Sequence, residues 1–472
     1  MIKMARTFLS RHSWAPLVAA SLIFLSCYCI QAVKVMAQLP LWEDEVLSVW
    51  AAQYPSPVQI NWALAHGLQA SPPAFSVMLH YVGALAGWSN LAMRLPAFIA
   101  ELLSSILTFL LLRRYIGAPA AAFAACLTLE SLSYFGLQAR PYSLMVLFFV
   151  VALICWDNLN RRQSFWWTAG LCAALMAGIS IHFYSVYFIP CFALIELNQL
   201  RLTKKLRLGV WTALVVAGLS IFLWSSVLRP WNHYVAGEVS ASHAYGRKPT
   251  IYSLFMTYLY LLLGSGGLPQ GSIGTIGTAT VILLMAVCLL GAALAYESLR
   301  WKPLEMRQTT QSAKSHDRGF EQIFLGTLSV PLVIFICSVL GPKTYHLRYS
   351  LAGAVGVSAL LATTLNGFPA FRRLVPLLLL LTSALTLAIG VPTFLYFDHT
   401  KIYDAMPGTE PIVVADGSQF IQLLYSSPQQ FRSRIVYLWL PKEVPVEDAV
   451  NAHTIKRVLH SYRCLLRIRQ SS

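Results

Sequence analysis

Apolar runs long enough to cross a bilayer recur from residue 15 almost to residue 397, and that recurrence restricts what the chain can fold into. A hydrocarbon core of about 30 Å is spanned by roughly 20 apolar residues of helix. The candidate crossings are 15–36, 94–112, 118–137, 142–158, 164–181, 183–199, 208–228, 275–296, 323–340, 349–366 and 374–397. They predict an all-α polytopic membrane protein with about eleven transmembrane helices. Only 11% of the 472 residues are charged, against roughly 25% in soluble domains.

The net charge of +16 is gathered in short clusters between the apolar runs, where orientation signals belong, and does not suggest a nucleic-acid partner. Eighteen basic residues fall in alternate segments (the N-terminus, Arg113-Arg114, Arg161-Arg162, Arg201 to Arg207, Arg300 to Arg318, Arg372-Arg373), and the intervening segments before residue 398 hold eight. The bias predicts a cytoplasmic N-terminus and a multi-pass protein of a cell (inner) membrane. Parity then places 71–88, although apolar, along the outer interface as an amphipathic or re-entrant helix. The first run, behind Lys3, Arg6 and Arg11, exceeds the core of a typical signal peptide and reads as a retained anchor. Eight of the nine cysteines lie in apolar segments, so neither a disulfide framework nor a zinc site is indicated.

Residues 1–397 form the expected membrane domain, and 398–472 a second one. This tail carries nine basic and seven acidic residues and no run of crossing length. Strands at 411–416, 434–440 and 464–468, with helices near 417–427 and 446–460, predict a small extracytoplasmic α/β domain.

Against this apolar background, Trp42-Glu43-Asp44-Glu45 sets three acids at the outer edge of the first crossing. On a helix starting there, Val46, Val49 and Trp50 share one face and Asp44, Leu47, Ser48 and Ala51 another, so such a helix rests on the membrane and aims Asp44 at the protein. The lesser alternative is that the acids merely cap the helix start and favour its dipole. At the same boundary come Ser71-Pro72-Pro73, Arg94-Leu95-Pro96, Arg140-Pro141-Tyr142, His182-Phe183-Tyr184 and His346-Leu347-Arg348-Tyr349. Arginines, histidines and carboxylates converging on one membrane face suit group transfer from a phospholipid-linked donor: arginine holds the charge growing on a departing phosphate, and a carboxylate takes the proton of an acceptor hydroxyl. Arg94 and Arg140 also read as arginines snorkelling to headgroups, and His182 as a hydrogen-bonded turn residue. Glu101 and Glu130, inside the runs, either pair an arginine or line a groove.

The order Trp42-x-Asp44-Glu45, Pro72-Pro73, Arg94-Leu95-Pro96, Ala139-Arg140-Pro141-Tyr142, His182-x-Tyr184 and Arg348-Tyr349 resembles the GT-C class of membrane glycosyltransferases, in the branch of protein O-mannosyltransferases and lipid A aminoarabinose transferases. The resemblance covers about residues 1–397 and is weakest from 229 to 340. It implies an inverting transferase that moves a sugar from a polyprenyl-phosphate donor to an acceptor hydroxyl on a glycan, lipid or protein at the extracytoplasmic face. By motif it implies Asp44 as the catalytic carboxylate, Glu45 as its partner, and Arg94, Arg140 and Arg348 as donor-phosphate contacts; Glu43, His182, Tyr142, His346 and Tyr349, at the same boundary, are candidate substrate contacts. Ser71 stands where many relatives have histidine, and no acid follows near Arg140 as in those branches, so metal dependence is left open. A transporter or lipid-linked-sugar flippase is the competing reading, although its ionisable groups would be expected near midplane; an anchored binding module in the tail is a third.

Overall fold

Glycines and small polar caps divide the apolar sequence into separate helices. The computed structural model describes residues 15–66, 68–69, 71–228, 249–263, 311–341, 345–389, 411–414, 417–427, 429–432 and 434–437. Helix α1 (Ala15–Gln38) is followed by three short helices, α2 (Glu43–Ala52), α3 (Pro57–Ala65) and α4 (Pro73–Ala86), and then by the 27-residue α5 (Asn90–Ile116). Gly87, at φ +81°, ends α4 in a conformation few side chains tolerate, and Ser89 Oγ then accepts the Ala92 N–H at 3.2 Å to open α5. Gly117, at φ +78°, separates α5 from α6 (Ala118–Gly136), and Pro119 sits in the first turn of α6, where no intrahelical N–H is required.

Helix α7 (Tyr142–Arg161) leads to α8 (Phe165–Ile181), a single 3-10 turn at Phe183–Tyr187, and α9 (Phe188–Thr203). Helices α10 (Leu208–Leu219), α11 (Ile251–Leu263), α12 (Gln311–Leu340), α13 (Gly353–Asn366) and α14 (Pro369–Ile389) complete the helical part. One apolar core forms around Phe149, Trp156, Phe188 and Phe192. Another packs α1 against α6 and α14 through Phe24, Tyr28, Leu129 and Val375.

Eight helical segments among the described residues are long and apolar enough to cross a membrane, from Ala15–Gln38 to Phe371–Ala388. The protein is therefore a multi-pass helical membrane protein. Of the eleven expected crossings, 164–181 and 349–366 appear as the shorter apolar helices α8 and α13, and 275–296 lies outside the described residues. The segment expected to lie along the interface is α4, a 14-residue helix.

In the tail, β1 (Ile412–Val414) pairs in parallel with β2 (Ile435–Tyr437), Ile412 opposite Ile435, and α15 (Gly417–Ser426) makes the connection. The expected strand at 464–468 and helix at 446–460 lie outside the described residues. Phe420, Ile421, Leu423 and Leu424 pack with Val46, Val49 and Trp50 in one buried cluster, and the Trp50 and Tyr425 rings meet edge to face at 6.0 Å. This corrects the expectation that α2 rests on the membrane by its Val46, Val49 and Trp50 face: every residue from Glu45 to Ala52 is buried within the protein. The helix that begins beside Asp44 is thus clamped from both sides.

Candidate active site

The site is built outward from Glu45. Three residues into α2, its carboxylate reaches back to accept the Trp42 N–H at 3.0 Å, closing the first turn. The same carboxylate takes Arg94 bidentately, Nε to Oε1 at 2.8 Å and Nη2 to Oε2 at 2.7 Å, with side-chain exposures of 2% for Arg94 and 0% for Glu45. Arg94 also donates Nη1 to the carbonyls of Met36 and Leu39 and Nη2 to that of Pro40. All five guanidinium N–H groups are engaged, tying the end of α1 to α2 and α5.

That saturation bears on the expected roles of both residues. Arg94 has no donor left for a phosphate, and Glu45, whose Oε1 also accepts the Ala139 N–H at 2.6 Å, has no oxygen turned toward an acceptor. Both residues hold the site in place. The Ala139 bond matters most, because it pins the turn between α6 and α7 beside α2 and so fixes the next residue, Arg140.

Arg140 and Arg348 converge on Asp44. Arg140 Nη2 lies 3.2 Å from Asp44 Oδ2, and Arg348 Nη1 lies 3.4 Å from the same oxygen. Arg140 Nη1 further donates to the Asp44 carbonyl at 2.9 Å and to Ser48 Oγ at 3.3 Å. Asp44 Oδ1 accepts no hydrogen bond from the described residues. Two arginines facing one carboxylate leave an excess of one positive charge. The Nε groups of Arg140 and Arg348 are both buried and donate to nothing among the described residues. Buried donors are normally satisfied, so this pair is suited to an anion supplying further oxygens. Asp44 keeps 26% of its side chain exposed and Arg348 28%, so the group opens to the outside of the protein.

Aromatic rings form the wall behind the arginines. The Arg140 guanidinium sits 5.4 Å from the Tyr142 ring centre, and that of Arg348 lies 5.9 Å from Tyr142 and 5.4 Å from Tyr349. Tyr349 stacks on Tyr184 at 3.5 Å with 12° between planes. His182 completes the wall, 5.4 Å from both Tyr142 and Tyr349, and His346 meets Tyr349 edge to face at 5.7 Å. The His182 Nδ1 accepts the Tyr184 N–H at 3.2 Å, which requires a lone pair on that nitrogen. Burial, with Arg140 and Arg348 nearby, pushes the imidazole down to about 3, so it is neutral at physiological pH.

The structure thus assembles Asp44, Arg140, Arg348, Tyr142, His182, His346 and Tyr349 in one cluster, with Glu43 in the same first turn of α2 as Asp44. Tyr184, of the His182-x-Tyr184 motif, belongs to this wall. Gln69, and a site role for Ser48, were not expected; Ser48 Oγ donates to Gln69 Oε1 at 3.3 Å. The helical period carried the signal for Ser48, which lies one turn beyond Asp44 on the same face. Neither Glu101 nor Glu130 forms an ion pair with an arginine among the described residues; Glu101 accepts the Tyr28 hydroxyl at 2.6 Å. Among the described residues no group of three or more His, Cys, Asp or Glu side chains could hold a metal ion.

Residues 70–228 match the family model described as dolichyl-phosphate-mannose-protein mannosyltransferase. The matched third of the chain contains Arg94, Arg140, Tyr142 and His182. No curated protein matches the chain. Among solved structures, ArnT from Cupriavidus metallidurans bound to undecaprenyl phosphate is similar at 12% identity and a TM-score of 0.43, over 94% of this chain and 89% of that one. The apo form of the same protein gives 12% and 0.42 over 92% and 88%. An oligosaccharyltransferase from Archaeoglobus fulgidus, in complex with zinc and sulfate, gives 12% and 0.45 over 91% of this chain and 59% of that one. Over residues 70–228 the chain resembles a family of membrane-lipid-dependent mannosyltransferases, and this resemblance is to a glycosyltransferase.

Proposed function

We propose that this protein transfers a sugar from a polyprenyl-phosphate donor to an acceptor hydroxyl at the extracytoplasmic membrane face, with inversion. The observation that carries the reading is the convergence of Arg140 and Arg348 on the partly exposed carboxylate of Asp44, at 3.2 and 3.4 Å. The dolichyl-phosphate-mannose named by the matching family supplies the donor class.

In this mechanism the donor phosphate enters beside the two arginines, and its oxygens take their N–H groups, including the two buried Nε donors, releasing Asp44 Oδ2. The acceptor hydroxyl is held at Asp44. Its oxygen attacks the anomeric carbon from the face opposite the phosphate; that C–O bond forms as the C–O bond to phosphate breaks. The electron pair leaves with the phosphate, where Arg140 and Arg348 stabilise it, and the hydroxyl proton passes to Asp44. A single displacement inverts the sugar carbon. Glu45 and Arg94 position the site, and the neutral His182 with Tyr142, Tyr184 and Tyr349 keeps the arginines oriented. The acceptor class is a glycan, lipid or protein bearing an exposed hydroxyl.

The test is the purified protein in liposomes with a labelled polyprenyl-phosphate sugar and candidate acceptors. Appearance of label on an acceptor, dependent on Asp44, supports transfer. Movement of the intact lipid across the bilayer with no sugar released would replace the proposal by a flippase.

A further inference from the structure

An apolar cleft of about 680 Å³ lies at the far end of α5 from the active site. Its walls come from the first half of α1 (Val18, Leu22), the second half of α5 (Ile106, Phe109) and the start of α6 (Ala122), and it opens sideways, since Val18, Leu22 and Ile106 are 53%, 60% and 43% exposed. Arg113 and Arg114 stand at its rim together with Gly117 and Ala118, where α6 begins. Arg113 is 19 residues beyond Arg94 on the same helix, about 28 Å along its axis, which is nearly the thickness of a bilayer's hydrocarbon core. The cleft therefore faces the other leaflet from Asp44.

Three independent features at this rim favour an anion. Arg113 makes no ion pair among the described residues and lies 5.9 Å from the Phe109 ring, which itself lines the cleft. Arg114 is partly neutralised by Asp157, at 2.8 Å, but Arg161 shares that carboxylate at 3.3 Å, so the rim keeps a positive excess. The start of the 19-residue α6 presents backbone N–H groups and the positive end of its dipole beside these arginines. An apolar cleft open to lipid, with a cationic rim at headgroup level, has the shape and charge of an amphiphile with a fatty chain and an anionic head.

We infer that this cleft binds an anionic phospholipid of the leaflet opposite the active site, its acyl chain between α1 and α5 and its phosphate at Arg113 and the start of α6. The polyprenyl donor, whose sugar must reach Asp44, is a different lipid in a different leaflet.

The full-length protein is reconstituted with photoactivatable phosphatidylglycerol or phosphatidylcholine at equal mole fraction, and cross-linked residues are mapped. Expected are phosphatidylglycerol cross-links concentrated on residues 17–25 and 105–109, reduced at least threefold by Arg113→Gln, and lost with Ala122→Trp, which fills the cleft. Competition by undecaprenyl phosphate no stronger than by unlabelled phosphatidylglycerol is also expected. Equal labelling by both phospholipids, or no response to Arg113→Gln, would overturn the inference. So would preferential displacement by undecaprenyl phosphate. Arg113 is exposed and takes no part in the proposed chemistry, so R113Q should fold normally, and the result stands whether or not the transferase activity is found.

Discussion

The Glu45 carboxylate holds the Arg94 guanidinium through two parallel hydrogen bonds, of 2.8 and 2.7 Å, while its Oε1 also receives the Ala139 N–H at 2.6 Å. One buried ion pair thus joins the ends of α1, α2 and α5 to the turn that carries Arg140. Removing one member leaves the other charged and unmatched, a loss of about 3–5 kcal/mol. Glu45→Gln and Arg94→Met are expected to lower the midpoint of thermal unfolding in detergent markedly. Arg94→Lys should lower it nearly as much, because an ammonium cannot reproduce the fork. An unchanged midpoint for all three would show that the pair does not organise the site.

Asp44 should show its largest effect in turnover. Its side chain is 26% exposed, and its carboxylate is the one facing both Arg140 and Arg348. Asp44→Asn keeps the shape but cannot take a proton, so turnover should fall by roughly 10²–10⁴-fold, while the unfolding midpoint falls as well because Arg140 loses its counter-charge. Sugar transfer at the wild-type rate would remove Asp44 from its role as base.

Arg140 and Arg348 share one anionic partner in the proposal, so their effects should not add. Arg140→Gln and Arg348→Gln are each expected to raise the donor KM and lower kcat. The double variant should be less impaired than the product of the two, with a coupling on the order of 0.5–3 kcal/mol. Arg348→Lys should retain more activity than Arg348→Gln, since the charge is kept while the second donor is lost. Steady-state kinetics with the labelled donor decide this; full additivity would place the two arginines on separate tasks.

His182 gives a pH signature. Its folded value, pushed down to about 3, lies below the roughly 6.5 of an unfolded histidine. Its contribution to stability is therefore complete above about pH 6.5 and is lost progressively as pH falls toward 3, because only the unfolded chain takes up the proton readily. His182→Gln should flatten that loss between pH 6 and 4 in unfolding midpoints, while leaving the pH dependence of transfer between 6 and 8 as in the wild type. A change in the transfer profile over that range would instead make His182 a titrating participant.

Much of the helical framework and the list of polar residues at one end of the bundle was legible in the sequence, because both follow from local signals. Hydropathy fixes where a helix can cross, and Gly87, Ser89 and Gly117 mark its ends through their own backbone preferences. The strands holding Ile412 and Ile435 likewise followed from short β-branched runs on either side of a helical one, while their parallel pairing and register came from the structure. The covering of α2 by Leu423, Leu424 and Tyr425 was not legible, since an apolar helix face reads the same whether lipid or protein buries it.

By itself, then, the sequence determined a multi-pass helical membrane protein with carboxylates and arginines gathered at one boundary. Which carboxylate meets which arginine was decided only by the tertiary structure. Asp44 and Glu45 are adjacent in the chain, but neighbours on a helix point about 100° apart. That turn sends Glu45 into the protein against Arg94 and leaves Asp44 at the opening with Arg140 and Arg348, which approach from turns 96 and 304 residues away in sequence. Packing of distant helices sets those distances, and no local pattern encodes them.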